Sequence, residues 1–358
     1  MVNESDLKRL LSELIDPHTG QPLGEAVRAV AVRDGKAAVA VELGYPAAGW
    51  REGLVELVSG ALRATGEVAE VTVDLDWRVS QYAVQDGLNP LEGVGNVIAV
   101  ASGKGGVGKS TVTANLALAL QAEGARVGVL DADVYGPSQP RMLGLSGQPQ
   151  TTENRRILPF QAHGLQAMSI GMLVKTDQAM IWRGPMATQA LQQMVAETLW
   201  QDLDYLVIDL PPGTGDIQLT LAQRIPVAGA ITVTTPQDVA VDDVRRAVAM
   251  FSKVRIPVLG VVENMSTHIC SNCGHEEAIF GAGGGSRIAS EAGLTLLGQL
   301  PLEASLGRST DQGNPIVAAD PDHPVSQRFR ELARRTAARL SLNTRNQQIR
   351  MPKIRIVD

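Results

Sequence analysis

The chain has 358 residues, 44% of them hydrophobic, enough for two domains with a sizeable core. A net charge of −6 removes any global electrostatic case for nucleic acid, and 3% aromatic residues argue against stacking platforms for single strands. With no apolar run of about 18 residues and no signal peptide, the expectation is a soluble, cytoplasmic protein without stable membrane association.

Residues 1–85 read as a small α/β unit. Leu7, Leu10, Leu11, Leu14 and Ile15 recur at helical spacing, and that helix is predicted to stop before Pro17. Ala26–Val32 and Ala37–Leu43 alternate as the strands of a hairpin turned at Asp34-Gly35. Trp50–Thr65 reads as an amphipathic helix, and Val68–Trp77 as a strand with Val71, Val73 and Leu75 in phase. This order, with Asp16-Pro17 closing the first helix, resembles the SufT/PaaD-like domain of iron–sulfur assembly factors. Many members carry a cysteine just after the second hairpin strand. Here Gly44-Tyr45-Pro46-Ala47-Ala48 has none, which leaves a docking or structural role. Residues 86–95 are rich in glycine and turn formers and read as an interdomain linker.

From Asn96 to residue 342, apolar strand-like runs alternate with helical stretches. The predicted strands are Val97–Ser102, Arg126–Asp131, Leu165–Ser169, Tyr205–Leu210, Ala228–Thr234, Val258–Glu263 and Thr295–Leu300. Such alternation predicts an α/β fold with a doubly wound, mostly parallel sheet, whose ligands bind at the carboxyl ends of the strands. Gly103-Lys104-Gly105-Gly106-Val107-Gly108-Lys109-Ser110, then Thr111, lies between a strand and a helix, the context of a phosphate-binding P-loop. Glycine lets successive backbone N–H groups curl around an anion, and the following helix N-terminus adds positive potential. Lys109 is expected on the β- and γ-phosphates of ATP and the Ser110 hydroxyl on Mg²⁺. Asp209, ending an apolar strand before Leu210-Pro211-Pro212-Gly213-Thr214-Gly215-Asp216, has the Walker B arrangement for Mg²⁺, with the Gly213 N–H free to meet a γ-phosphate.

Cys270 and Cys273 are the chain's two cysteines. One such pair supplies half of a four-ligand metal site. A second chain's pair, the nearby His268 and His275 with zinc, or a redox dithiol would each complete the chemistry, and spacing alone does not choose.

Lys104, directly after the first glycine, resembles the deviant Walker A motif of the MinD/ParA/nitrogenase-iron-protein ATPases. There this lysine reaches a partner's nucleotide, which implies a homodimer and a part in ATP hydrolysis. In the same proteins, Asp131-Ala132-Asp133-Val134-Tyr135-Gly136-Pro137-Ser138 is switch I. The resemblance implies that Asp133 orients the attacking water or senses the γ-phosphate, and that Asp131 stands near Mg²⁺ through water. Asn264 of Glu263-Asn264-Met265-Ser266 is implied to read the adenine edge, with Pro301-Leu302 flanking the base. These motifs, in this order and with Ile269–Gly285 around the cysteines, resemble the Mrp/ApbC family of iron–sulfur cluster carrier ATPases. That implies a labile [4Fe–4S] cluster bridged by Cys270 and Cys273 of two chains, slow ATP hydrolysis, and transfer to apoproteins alongside assembly factors. The alternative is a MinD/ParA-like positioning ATPase with structural zinc at the cysteines.

Gly281–Gly285 lacks a Lys-Ser/Thr pair and reads as a hinge before a helix at Ser286–Glu291. Arg183-Gly184-Pro185-Met186, ahead of a helix at Ala187–Trp200, is assigned to a dimer contact. Val325–Leu340 reads as a basic amphipathic helix with Phe329, Leu332, Ala333, Ala337 and Leu340 inward and a solvated charged face. The tail from 343 to 358, with Arg345, Arg350, Lys353 and Arg355, is expected to be mobile.

Overall fold

The computed structural model describes residues 4–173 and 184–343. Arg183 and the tail's Arg345, Arg350, Lys353 and Arg355 lie outside the described residues, and so do the readings placed on them.

The N-terminal unit runs α1 (Glu4–Ser12), β1 (Val27–Arg33), β2 (Lys36–Leu43), α2 (Arg51–Arg63) and β3 (Glu70–Trp77). β1 and β2 form the expected hairpin, with Asp34 and Gly35 both at positive φ, and β3 joins β2 in parallel with Val73 beside Val39. α1 ends one turn early. The Asp16 carboxylate accepts the His18 N–H at 2.8 Å, and its own N–H goes to Gln21 O, so the chain turns and Ile15 faces solvent.

The second unit runs β4 (Val94–Ser102), α3 (Lys109–Ala122), β5 (Val127–Asp131), α4 (Gln139–Met142), β6 (Phe160–Ala162), β7 (Leu165–Ser169), α5 (Gly184–Glu197), β8 (Leu203–Asp209), α6 (Asp216–Arg224), β9 (Gly229–Thr234) and α7 (Asp238–Lys253). It continues through β10 (Val258–Ile269), β11 (Glu276–Glu277), α8 (Gly284–Glu291), β12 (Leu296–Leu302), α9 (Ala304–Asp311), α10 (Ile316–Ala319) and α11 (Pro324–Ser341). These strands make one nine-stranded sheet in the order β11-β10-β9-β4-β8-β5-β7-β6, with β12 also on β10. The pairings are parallel except at β6 and β11. β5 and β9 are buried at every position, as helices on both faces require. β4, β5 and β8 deliver the P-loop, switch I and Walker B motifs from their carboxyl ends, whereas β10 runs past the expected end at Glu263 to Ile269 and carries Asn264 within it.

The two units are less separate than expected. One buried cluster runs from Leu7, Val39 and Leu54 through Leu116 and Leu120 of α3 to Phe329 and Leu340 of α11. β4 already begins at Val94, inside the expected linker. A Cβ on Gly93 would stand 2.0 Å from Trp200 O, so this glycine serves close approach rather than flexibility. Upstream, the Gln85 amide donates to Ala222 O at 2.6 Å and accepts from Val227 N at 3.0 Å.

α11 buries its expected apolar residues, but part of its charged face is not solvated. Arg330 Nε and Arg334 Nη1 each reach Glu123 Oε1 at 2.8 Å, and Glu123 is fully buried. Glu123 Oε2 accepts the Gly49 N–H at 2.8 Å, so the cluster ties α3, α11 and the N-terminal unit together. A lone carboxylate there would be costly, and two guanidiniums offset it.

Candidate functional site

The P-loop closes where β4 meets α3. Gly106 and Gly108 hold φ of 83° and 80°, open to glycine and strained for other residues. Gly105 and Gly106 are exposed, so their backbone faces the cleft. The cleft has a volume of about 210 Å³, and its lining includes Lys104, Lys109, Ser110, Thr111, Asp133 and Ser138. Lys109 is buried and bonds the Asp209 carboxylate, with Asp133 Oδ2 at 3.8 Å. Lys104 is half-buried at the cleft and makes no ion pair among the described residues.

Asp131 and Asp209 are both fully buried. Asp131 accepts from Asp133 N at 3.1 Å, Gln139 N at 3.0 Å and Ser169 Oγ at 3.1 Å. Burial, and next the neighbouring Asp209 charge, push its carboxyl up to about 7. Asp133 is also raised, first by burial, with Lys109 opposing.

Two expectations change in detail. The Gly213 N–H goes to Ser102 O at 2.9 Å, pinning the Walker B turn to β4 instead of facing the cleft. Asn264 is buried and donates Nδ2 to Val107 O at 2.9 Å, which engages the P-loop backbone. A Cβ on Gly108 would lie 2.3 Å from that Nδ2, so the loop and β10 are in contact. Sequence reasoning missed Gln139, whose amide bridges Ser110 O and Asp209 Oδ2, both at 2.9 Å. Its place directly after Ser138 in switch I was the available signal.

The cysteines sit where β10 turns into β11. His268 pairs with Glu277 and Ile269 with Glu276. Cys270 N donates to His275 O at 3.0 Å, and Gly274 N donates to Cys270 O at 2.8 Å. Cys270 is half-buried and Cys273 exposed. The backbone N–H groups of Asn272 and Cys273, and then the Cys273 thiol, pull the Cys270 thiol below its usual range. Among the described residues no three His, Cys, Asp or Glu side chains gather as a metal site. The expected hinge is partly a packed cap. Gly285 N donates to Glu263 Oε2 at 2.5 Å, and a Cβ on Gly284 would meet Pro236 O at 2.2 Å.

A family model described as NUBPL iron-transfer P-loop NTPase matches residues 93–337. The chain belongs to that family. A second model, described as iron-sulfur cluster assembly protein, matches residues 4–73. An iron-sulfur cluster carrier protein of Salmonella typhimurium is 56% identical over 287 residues, 78% of this chain and 76% of its own length. One from Haemophilus influenzae is 51% identical over 313 residues, covering 86% and 84%. A third, from Deinococcus radiodurans, is 44% identical over 344 residues, covering 94% and 96%. Among solved structures, a nucleotide-binding protein of Archaeoglobus fulgidus in complex with ADP superposes with a TM-score of 0.57 at 36% identity, covering 66% of this chain and 93% of that one. The cell-division ATPase MinD of Pyrococcus furiosus, with a TM-score of 0.51 at 22% identity over 67% of this chain and 98% of its own, shares the fold. Among the described residues no helix is long and apolar enough to cross a membrane.

Proposed function

We propose that this NTPase is an iron–sulfur cluster carrier. A homodimer holds a labile [4Fe–4S] cluster between the Cys270/Cys273 pairs of its two chains and passes it to apoproteins. The observation that carries this reading is the cysteine hairpin. It offers two accessible sulfurs, one with a lowered pKa, and no third ligand among the described residues. Half a site at an exposed tip suits a cargo shared with a second chain and then released.

ATP is the nucleotide of the cleft. The P-loop N–H groups from Gly103 to Thr111 bind its phosphates, and Lys109 moves from Asp209 to the β- and γ-oxygens. Lys104 stabilises charge on the partner's nucleotide, Asp133 orients the attacking water, and Asn264 uses its remaining amide capacity on the base. The residues fit Mg²⁺: two buried carboxylates face one lysine, and the buried Ser138 Oγ and Gln139 Oε1 have no partner. Ser110 would hold the ion directly, with Asp131 and Asp209 through water, and the ion would neutralise phosphate charge. Hydrolysis is slow and sets how the two chains face each other.

β10 links the two sites. Asn264 touches the P-loop, and the same strand runs on to Ile269 beside Cys270. Six residues of strand span roughly 20 Å, so a shift of the P-loop reaches the cysteines through one element.

Anaerobic reconstitution with iron and sulfide, counted per dimer, tests the reading. Four irons per dimer with thiolate-to-iron absorption, lost in Cys273→Ala, is expected. Zinc retention at one ion per chain, with no cluster, would favour the positioning ATPase instead.

A further inference from the structure

We infer that Gln139 is a positioning residue that locks the backbone of Ser110, the residue with the metal-binding hydroxyl, to the Walker B carboxylate. This rests on the Mg²⁺ reading above. Gln139 opens α4 at the end of switch I and is 1% exposed. Its Nε2 donates to Ser110 O and Asp209 Oδ2, each at 2.9 Å, while its backbone N–H donates to Asp131 Oδ2 at 3.0 Å. One residue thus holds a group from the P-loop, from switch I and from Walker B.

The amide orientation is fixed by chemistry. Turned over, the carbonyl oxygen would face a carboxylate and a carbonyl, both acceptors. In the orientation that satisfies both, Oε1 is buried without a partner. Buried acceptors are ordinarily paired, and an orphan next to a carboxylate pair marks a place where a donor binds. Mg²⁺ keeps several of its waters when bound to phosphates, and those waters only donate. Asp131, Asp209 and Gln139 Oε1 together make an acceptor wall for such waters. A lysine ammonium arriving there would offer the same N–H chemistry, but Lys109 is already held by Asp209.

The role separates from bulk stability through the metal. Supporting residues of this kind change metal affinity by about 10–100-fold when removed. The test uses the whole protein, a fluorescent ADP analogue, and titrations with and without Mg²⁺. Gln139→Leu keeps the size and removes both polar atoms. Its expected result is a Mg²⁺ requirement raised about tenfold, with affinity in EDTA within about twofold of the parent. Equal losses with and without Mg²⁺, or no loss in either, would overturn the inference. If Gln139→Leu does not fold, Gln139→Met is read in the same way. An unaltered protein whose ADP binding ignores Mg²⁺ would defeat the metal reading itself, a separate outcome from a variant matching a Mg²⁺-dependent parent.

Discussion

The buried carboxylate of Glu123 meets the Arg334 guanidinium at 2.8 Å, joining the end of the P-loop helix to the last helix of the sheet. Removing Glu123 leaves two guanidiniums close together with little water. Glu123→Ala is expected to cost about 3–5 kcal/mol, the usual penalty for stranding a buried charge. Denaturant unfolding followed by fluorescence reads it, and a loss under about 1 kcal/mol would count against a structural role.

His18 adds a pH term to the same interface. Burial alone would lower its pKa, but hydrogen bonds to Asp16 and Glu331 outweigh this and raise it. Arg334 Nε stands 3.2 Å from the same Nε2 that faces Glu331 and opposes the charge, and two carboxylates prevail over it. A raised pKa means that the contribution is complete below about 6.5 and lost as pH rises through the folded value. Asp16 and Glu331 are lowered, so theirs is present above about 4 and lost as pH falls. The stability gap between parent and His18→Gln should therefore shrink on raising pH from neutral. A gap independent of pH would mean the ring is never charged.

Lys109 is the cation between the Asp209 and Asp133 carboxylates. Lys109→Met is expected to reduce nucleotide hydrolysis by at least ~10²-fold, the scale of losing one preorganised charge stabiliser. Phosphate release under saturating ATP measures this, and near-parental turnover would remove Lys109 from the chemistry.

Gly124 holds φ of 103°, and a Cβ there would lie 2.2 Å from Trp77 Cζ2. Gly124→Ala is expected to destabilise the protein by about 1–3 kcal/mol, through backbone strain and a displaced ring. Trp77→Phe in that background should recover part of the loss in melting temperature. No recovery would assign the cost to the backbone alone.

The fold should activate the Cys270 thiol when metal is absent. Cys270, with its lowered pKa, is expected to alkylate at a lower pH in the folded protein than in the urea-unfolded chain, in iodoacetamide labelling read by peptide mass. Identical pH profiles would show that the N–H groups of Asn272 and Cys273 do not stabilise its thiolate.

Motifs read well because each is contiguous and its geometry is local. Gly103–Ser110 forms its loop from its own glycines, and Asp209 ends its strand where the apolar run ends. The strand β6 escaped notice because Phe160–Ala162 is short and gains its order only by pairing with β7. Gln139 escaped for a related reason: its partners Ser110 and Asp209 lie far away in the chain, and only the sheet brings them together. Charge on α11 misled in the same way, since Arg334 looks like any surface arginine until Glu123 is placed beside it.

The shared core bears on how such a chain can be shortened or recombined. Leu7, Val39, Leu54, Leu120 and Phe329 belong to a single apolar body, and Trp77 covers Gly124. A descendant that discarded its first 85 residues would bare that apolar seam and the guanidiniums on α11 at once. Module loss would demand several compensating replacements on α3 and α11 together, so a relative built on the second unit alone must clothe that seam with other side chains.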